Sequence, residues 1–416
     1  MEINTLMVPR QTRRTGVGKG LLEDLTLKIL YLRGEITLIE LSDLTCLSPE
    51  VIEEIFQFLR KEQLCEVKGM SGVSHRIAAS TQGRQRAAQL LTVNQYAGPA
   101  PVSLADYTGR VRTQSTQEAI LHPIDVGRAF HELVLDIEIL KRLGTSIASG
   151  TSLFLYGPPG TGKTTMATKI PDVYADYVWI PHAVEVDNQI IKVFDPGVHH
   201  QINDPIPEDS DRRWVLCRRP CVLAGGELTA DMLDLQISEA TQFYTAPLQM
   251  KANNGVLIID DFGRQKMRPD DMLNRWMTPL DRRIDFLTLQ GAKKFEIPFN
   301  VFVVFSTNLD PAHLADEAFL RRIPNKINVE YATPEQFIEI FRRECQSRSL
   351  AYDPTLAQYV VKCIVQEWKK PLAQCHARDL INQIVWEACY SSVEATVSRE
   401  TIDHACRSHF LRNPKN

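Results

Sequence analysis

Leu153-Phe154-Leu155-Tyr156-Gly157-Pro158-Pro159-Gly160-Thr161-Gly162-Lys163-Thr164-Thr165 is the stretch that decides the fold. A short apolar strand runs into a glycine-rich turn, and a helical segment follows. The turn matches GxxxxGK[ST] in the strand–turn–helix setting that gives the pattern its meaning. Glycines at 157, 160 and 162 let the backbone curl until its N–H groups point inward. The helix behind adds the positive end of its dipole, and the group such a cradle holds is a phosphate chain. Lys163 is expected to reach the β- and γ-phosphates of ATP, and Thr164 to place its hydroxyl on Mg²⁺. Pro158, Pro159, Thr161 and Thr165 complete the expected nucleotide-binding loop.

A phosphate loop needs a metal-holding acid at the end of a neighbouring strand. Val256-Leu257-Ile258-Ile259-Asp260-Asp261 supplies it: four apolar, β-prone residues read as a buried strand ending in two carboxylates. Asp260 is expected to hold Mg²⁺, and Asp261 to polarise the attacking water. Glu227, in Gly225-Gly226-Glu227, is a weaker alternative to Asp261.

The two motifs together, Walker A and Walker B, resemble the AAA+ ATPases. The resemblance covers residues 119–416 and implies further site residues. Phe302-Val303-Val304-Phe305-Ser306-Thr307-Asn308 resembles the sensor 1 strand, which makes Asn308 the residue orienting the nucleophilic water. Ala318-Phe319-Leu320-Arg321-Arg322-Ile323 resembles the arginine-finger segment, with Arg321 or Arg322 acting on a neighbouring subunit. His376-Ala377-Arg378-Asp379-Leu380 resembles the sensor 2 turn, which gives Arg378 to the phosphates. The family carries Asp-Glu in Walker B where this chain has Asp-Asp, so the shorter acid implies slower hydrolysis. A looser similarity points to the MoxR-like branch: a hairpin expected around Gly291, before the strand ending at Asn308. Adenine contacts are placed near Ile120 and Leu121.

Lys163 and Asp260 are far enough apart in the chain to leave room for an insertion. Val184 to Ile191 reads as a hairpin with an Asp187-Asn188 turn, and residues 205–213 as a charged loop. Such an insertion either carries partner specificity or is passive decoration. After residue 331 the chain turns helical: Thr333-Pro334-Glu335-Gln336 opens with a capping box, and apolar spacing predicts helices near 334–346, 354–369, 377–390 and 398–411.

At the other end, Leu22, Leu25, Ile29 and Leu32 recur at helical spacing, residues 36–44 give a second helix, and Ser48-Pro49 caps a third. Two short strands follow, the order of a winged helix. The third helix begins Pro49-Glu50-Val51-Ile52-Glu53-Glu54, three carboxylates at the end that would face nucleic-acid phosphates. Residues 1–115 carry 14 Lys+Arg against 12 Asp+Glu, with the basic residues assigned to the tail and the wing (Arg76, Arg84, Arg86). Protein docking is therefore preferred over DNA binding for this module.

The expected architecture is an α/β fold: a P-loop NTPase parallel sheet with helices on both faces, a C-terminal all-helical lid and an N-terminal winged-helix-like domain. The boundaries are a flexible tail over 1–16, the winged-helix-like domain over 17–96, a Pro/Gly-rich linker over 97–118, the nucleotide-binding core over 119–331 and the lid over 332–416. A net charge of -4 and 44% hydrophobic residues over 416 positions exclude a disordered or strongly basic chain. No apolar run spans a bilayer and residues 1–14 lack a signal-peptide core, which points to the cytoplasm without membrane insertion. Nine scattered cysteines suit reduced thiols, and Cys217 and Cys221 with His199 and His200 make a weak zinc alternative. The expected activity is hydrolysis of ATP by a ring, a hexamer, that remodels or assembles an unnamed client protein complex in a chaperone-like way. A DNA-acting motor or loader and a slow-hydrolysing nucleotide switch are the alternatives.

Overall fold

The structure is a computed structural model and describes residues 6–72, 74–116, 119, 121–203, 207, 209–238, 240–314 and 317–411. At its centre lie five parallel strands: β1 (Ser152–Tyr156), β2 (Cys221–Ala224), β3 (Val256–Ile259), β4 (Phe302–Thr307) and β5 (Asn325–Asn328). Their order across the sheet is β2-β3-β4-β1-β5. The four apolar residues of β3 are all buried, as are those of β4, because helices cover both faces. Side chains alternate between faces. Leu153, Leu155, Val256, Ile258 and Val304 join one apolar cluster with the helices Pro123–Ala129, Ile137–Ala148 and Lys163–Lys169. Phe154, Leu257, Ile259, Val303 and Phe305 join another, with Met272, Leu273 and Trp276 of the helix Pro269–Arg282. Each fully buried side chain of this size is worth roughly 1.5–3 kcal/mol. The loops at the carboxyl ends of β1, β3 and β4 are thus fixed to a rigid base.

The C-terminal region is helical: Pro334–Ser347, Pro354–Lys362 running on through a π turn at Cys363–Glu367, Gln374–Tyr390 and Arg399–His409. The Thr333 hydroxyl accepts from Gln336 N, and the Gln336 side chain from Thr333 N, which completes the expected capping box. The third of these helices begins at 374, three residues ahead of expectation, which brings its first turn onto the phosphate loop.

In the N-terminal region, helices Lys19–Arg33, Leu38–Thr45 and Pro49–Lys61 precede an antiparallel ribbon, Cys65–Ser71 with Ser74–Ala79. A short strand, Glu35–Thr37, joins the ribbon and shortens the expected second helix, which Thr37 caps. Arg84 and Arg86, expected on the wing, instead lie on a further helix, Thr81–Val93, which Ser80 caps through Gly83 N.

Two expectations fail. Residues 6–16 are not a free tail: Leu6 O accepts from Asp211 N, Val8 N donates to Asp209 O, and Thr12 and Thr15 are buried. Polar residues are buried here because they are bonded. Thr12 N donates to Glu54 Oε2 at 2.9 Å, and Thr15 O accepts from Arg213 Nη1 at 2.8 Å. Nor is 97–118 only a linker. After the Pro/Gly break, Val102–Ser103 pairs as a strand and Leu104–Thr113 is a helix, capped by Ser103. Tyr107 and Val111, four apart, form its buried face.

The insertion between β1 and β3 folds as β structure. Ala183–Val186 and Gln189–Lys192 form the expected hairpin, with Asp187 and Asn188 both left-handed (φ 51° and 61°) as its two-residue turn requires. They sit in a five-stranded sheet with Val102–Ser103, Tyr244–Thr245 and Gln236–Ile237. A ribbon of Tyr177–Pro181 with Trp214–Arg218 packs beside it, as does the expected hairpin Ile284–Thr288 with Lys294–Pro298. The charged loop expected at 205–213 falls partly outside the described residues. Among the described residues, no helix is long and apolar enough to cross a membrane.

Candidate active site

The phosphate loop joins β1 to the helix Lys163–Lys169, and its glycines are required where they stand. Gly157, Gly160 and Gly162 have φ of 134°, 76° and 79°. A Cβ at 157 would come within 2.3 Å of Val329 O, and one at 160 within 2.6 Å of Cys375 Sγ. The loop is held between the segment after β5 and the lid, where Cys375 N donates to Gly160 O at 3.0 Å.

Lys163 is 6% exposed. Its ammonium donates to Gly157 O (3.0 Å) and Pro158 O (2.7 Å), so the charge is parked on the loop's own carbonyls. Burial pushes its pKa down, opposed by the carboxylates of Asp260 and Asp261. Thr164 Oγ1 lies 3.0 and 2.9 Å from the two oxygens of Asp260. A hydroxyl and a carboxylate converging beside a phosphate loop are hard oxygen donors of the kind Mg²⁺ takes. Asp261 follows with φ 49°, and its Oδ1 lies 3.4 Å from Nδ2 of Asn308 at the end of β4.

A cavity of about 420 Å³ collects these groups: Pro159, Gly160, Gly162, Lys163, Thr164, Thr165, Asp260, Asp261, Asn308 and Arg378 all line it. Arg378 is half exposed and turned onto Asp379, to which its Nε and Nη2 donate at 3.0 and 2.9 Å. Arg321 and Arg322 stay outside the cavity. Arg321 is exposed, and Arg322 donates to Asp281 at 2.7 Å. Glu227 is also outside and accepts from Gly225 N.

The far wall was missed by the sequence reading. It consists of Glu132, Leu133 and Val134 from the core and Ile340, Arg343 and Glu344 from the first lid helix. Arg343 spans the gap by donating to His131 O at 2.7 Å. Glu344 has its pKa raised by burial, with Arg378 acting against it. Of the adenine contacts expected, Ile120 lies outside the described residues and Leu121 packs against the core cluster, off the cavity. Gln374 and Cys375 complete the wall beside the loop. No local motif announces these residues. His199, considered for zinc, accepts from Asp195 N through Nδ1 and meets Lys251 O through Nε2. Among the described residues, no group of three His, Cys, Asp or Glu side chains is arranged to hold a metal.

A family model described as a domain of unknown function, DUF8689, matches residues 333–408, the helical C-terminal region. No curated protein matches the chain. Among solved structures, the Thermotoga maritima RuvB Holliday junction branch migration motor is similar at 14% identity and TM-score 0.38, covering 65% of this chain and 68% of that one. NtrX from Brucella abortus is similar at 12% identity and TM-score 0.42, covering 67% and 56%. The same protein in complex with ADP gives 14% identity and TM-score 0.40, covering 70% and 59%. Likenesses this distant leave the fold to rest on the chain's own topology. Five parallel strands in the order β2-β3-β4-β1-β5, a glycine loop leading from β1 into a helix, and an acid at the end of β3 give this chain the P-loop NTPase fold, with a helical C-terminal region.

Proposed function

We propose that the chain is a Mg²⁺-dependent ATPase of AAA+ type. The observation that carries this is the contact of the Thr164 hydroxyl with both oxygens of Asp260, beside the loop that buries Lys163. In this reading Gly157 to Thr165 wrap the triphosphate, and Lys163 leaves its loop carbonyls for the phosphate oxygens. Thr164 and Asp260 would hold Mg²⁺, which when bound would supply neutralisation of developing phosphate charge. Asp261 takes the proton side of the attacking water, and Asn308, 3.4 Å from it, orients that water. Arg378 reaches the phosphates by exchanging Asp379 for them as the lid closes.

Ring assembly, as a hexamer, is part of the proposal. An exposed Arg321, and Arg322 away from its own cavity, suit fingers that act on a neighbour's nucleotide. The hairpin that precedes β4 supports the MoxR-like placement. A client protein complex is the proposed target, docked through the N-terminal winged-helix-like module. Glu50, Glu53 and Glu54 on the third helix speak against a DNA groove, and Glu54 is already bonded to Thr12. A slow nucleotide switch is the second reading, favoured by the short acid at 261. Purified protein with ATP and Mg²⁺ tests the whole: turnover and a ring-sized mass are expected, with turnover lost in Lys163→Ala and Asp260→Ala. Undiminished turnover in both variants would overturn it, and tight ATP binding without turnover would favour the switch.

A further inference from the structure

The acidic turn after β3 is closed by a side chain outside every motif above. Gln265 reaches back across the turn: its Oε1 accepts from Gly263 N at 2.8 Å, and its Nε2 donates to Asp260 O at 2.7 Å. These two backbone groups stand on either side of Asp261 and Phe262. A side chain that holds both fixes the backbone between them.

That backbone is unusual. Asp261 has φ 49°, a left-handed conformation that costs a residue with a Cβ about 1–2 kcal/mol and is tolerated best by Asp and Asn. The resemblance leads one to expect the longer acid at 261. A left-handed position gives a physical reason for the shorter one. Arg264 N donates to Asp261 O at 2.9 Å within the turn, and two further bonds tie the turn to β4: Phe262 N donates to Ser306 O at 2.7 Å, and Thr307 Oγ1 donates to Phe262 O at 2.8 Å. The strand that receives these bonds ends at Asn308, so Asp261 and Asn308 are set in register by the backbone itself.

We propose that Gln265 is a positioning residue for ATP hydrolysis, holding Asp261 in the left-handed turn from which a short carboxylate meets the attacking water beside Asn308. This rests on the ATPase reading above. Gln265 does not line the cavity; it acts through Asp261. Without it, Asp260 O and Gly263 N lose their partners, and the left-handed Asp261 is held only by Arg264 N and, through Phe262, by β4, which leaves its carboxylate room to shift.

The test uses the full chain with Gln265→Met, which keeps the length of the side chain and removes both hydrogen bonds. Gln265→Glu is the second variant: it can still accept from Gly263 N but as a carboxylate cannot donate to Asp260 O. Three quantities are read: kcat, affinity for a non-hydrolysable ATP analogue, and exchange of the Gly263 amide hydrogen. Since a misplacement near 1 Å costs on the order of a hundredfold in rate, Gln265→Met is expected to lower kcat between about tenfold and a hundredfold. Analogue affinity should stay within about threefold and Gly263 exchange should quicken, with Gln265→Glu intermediate in rate, because misplacing a catalytic acid moves rate and not binding. An unchanged kcat overturns the proposal, and so does a parallel loss of kcat and analogue affinity, which would mark a general structural role. Wild-type protein that neither binds nor hydrolyses ATP would instead bring down the underlying ATPase reading, and this inference with it.

Discussion

Gly160→Ala perturbs the junction of phosphate loop and lid at one atom. Gly160 has φ 76°, and an added Cβ would sit 2.6 Å from Cys375 Sγ and 3.2 Å from Ala373 Cβ. The left-handed backbone costs alanine about 1–2 kcal/mol. Relief of the clash by withdrawal of the first turn of the helix Gln374–Tyr390 lengthens the 3.0 Å bond from Cys375 N to Gly160 O. Losing such a bond costs about 0.5–1.5 kcal/mol. Together the two terms come to about 1.5–3.5 kcal/mol, placed in the loop whose N–H groups are to hold phosphate. At about 1.4 kcal/mol per decade this predicts a fall in ATP affinity of roughly 10- to 300-fold. Titration calorimetry with an ATP analogue measures it, with Gly127→Ala, where an added Cβ meets nothing within 4 Å, as the control. The two terms can be separated. Cys375→Ala removes the sulfur, so in the double variant the clash term should largely vanish while the backbone term remains. A Gly160→Ala affinity within threefold of wild type, or no recovery in the double variant, would refute the reasoning.

Two further predictions concern the regions on either side of the core. Arg213 is 3% exposed and holds Asp211, Thr15 O and Pro101 O together. Arg213→Met leaves the Asp211 carboxylate buried without its cation, at a cost of about 3–5 kcal/mol. Residues 6–16 should become markedly easier to cut in limited proteolysis, and adding Asp211→Leu should restore much of the resistance; an unchanged cleavage rate would contradict this. In the lid, burial lowers the pKa of His376 to about 4, with the neighbouring His409 and Lys370 acting in the same direction and Asp379 against. The folded value lies below the unfolded value of about 6.5. The neutral imidazole's contribution to stability is therefore intact above that pH and is lost as pH falls from about 6.5 towards 4. Thermal melting at pH 7.5 and pH 5 should show a smaller acid-induced drop in His376→Gln than in wild type, and an equal drop in both would count against it.

What could be read from the sequence was whatever chemistry keeps local. The loop from Gly157 to Thr164 announces itself because strand, glycines, lysine and helix are contiguous. Asp260 is legible because a four-residue apolar run can be little but a buried strand. Three of the lid helices carry their own caps, Thr333, Asp353 and Ser398, and Asp187-Asn188 carries its own turn. The β insertion was only partly legible because its strands at 102–103, 236–237 and 244–245 are two residues long, and the first and last of these pair with partners far away in the chain. Two residues hold no period to detect. The cavity wall opposite the loop was illegible for a related reason. Leu133 and Ile340 belong to separate elements, and only tertiary packing makes them neighbours. The tail at 6–16 misled because polar composition was taken as solvation, whereas its threonines are buried against Glu54 and Arg213.

Residues 6–16 and 97–118 both lie where the N-terminal module meets the rest of the chain. A Pro/Gly linker over 97–118 would leave the module tethered and free to reorient. The structure removes that freedom at several points. Leu22, Leu25 and Ile55 of the module share one apolar cluster with Ala183 and Ile190 of the insertion hairpin. Arg212 donates to Asp43 and to Ser42 O, and Gln95 N donates to Thr241 O. The insertion in turn packs on the hairpin of residues 284–298, whose Gln290 N donates to Tyr244 Oη. That hairpin follows directly from the helix Pro269–Arg282, which begins a few residues after Gln265. Among the described residues, the acidic turn and the module are therefore joined through packed, hydrogen-bonded elements. Under the proposed docking role, a partner on the module would meet a surface whose orientation to the phosphate loop is set by these contacts.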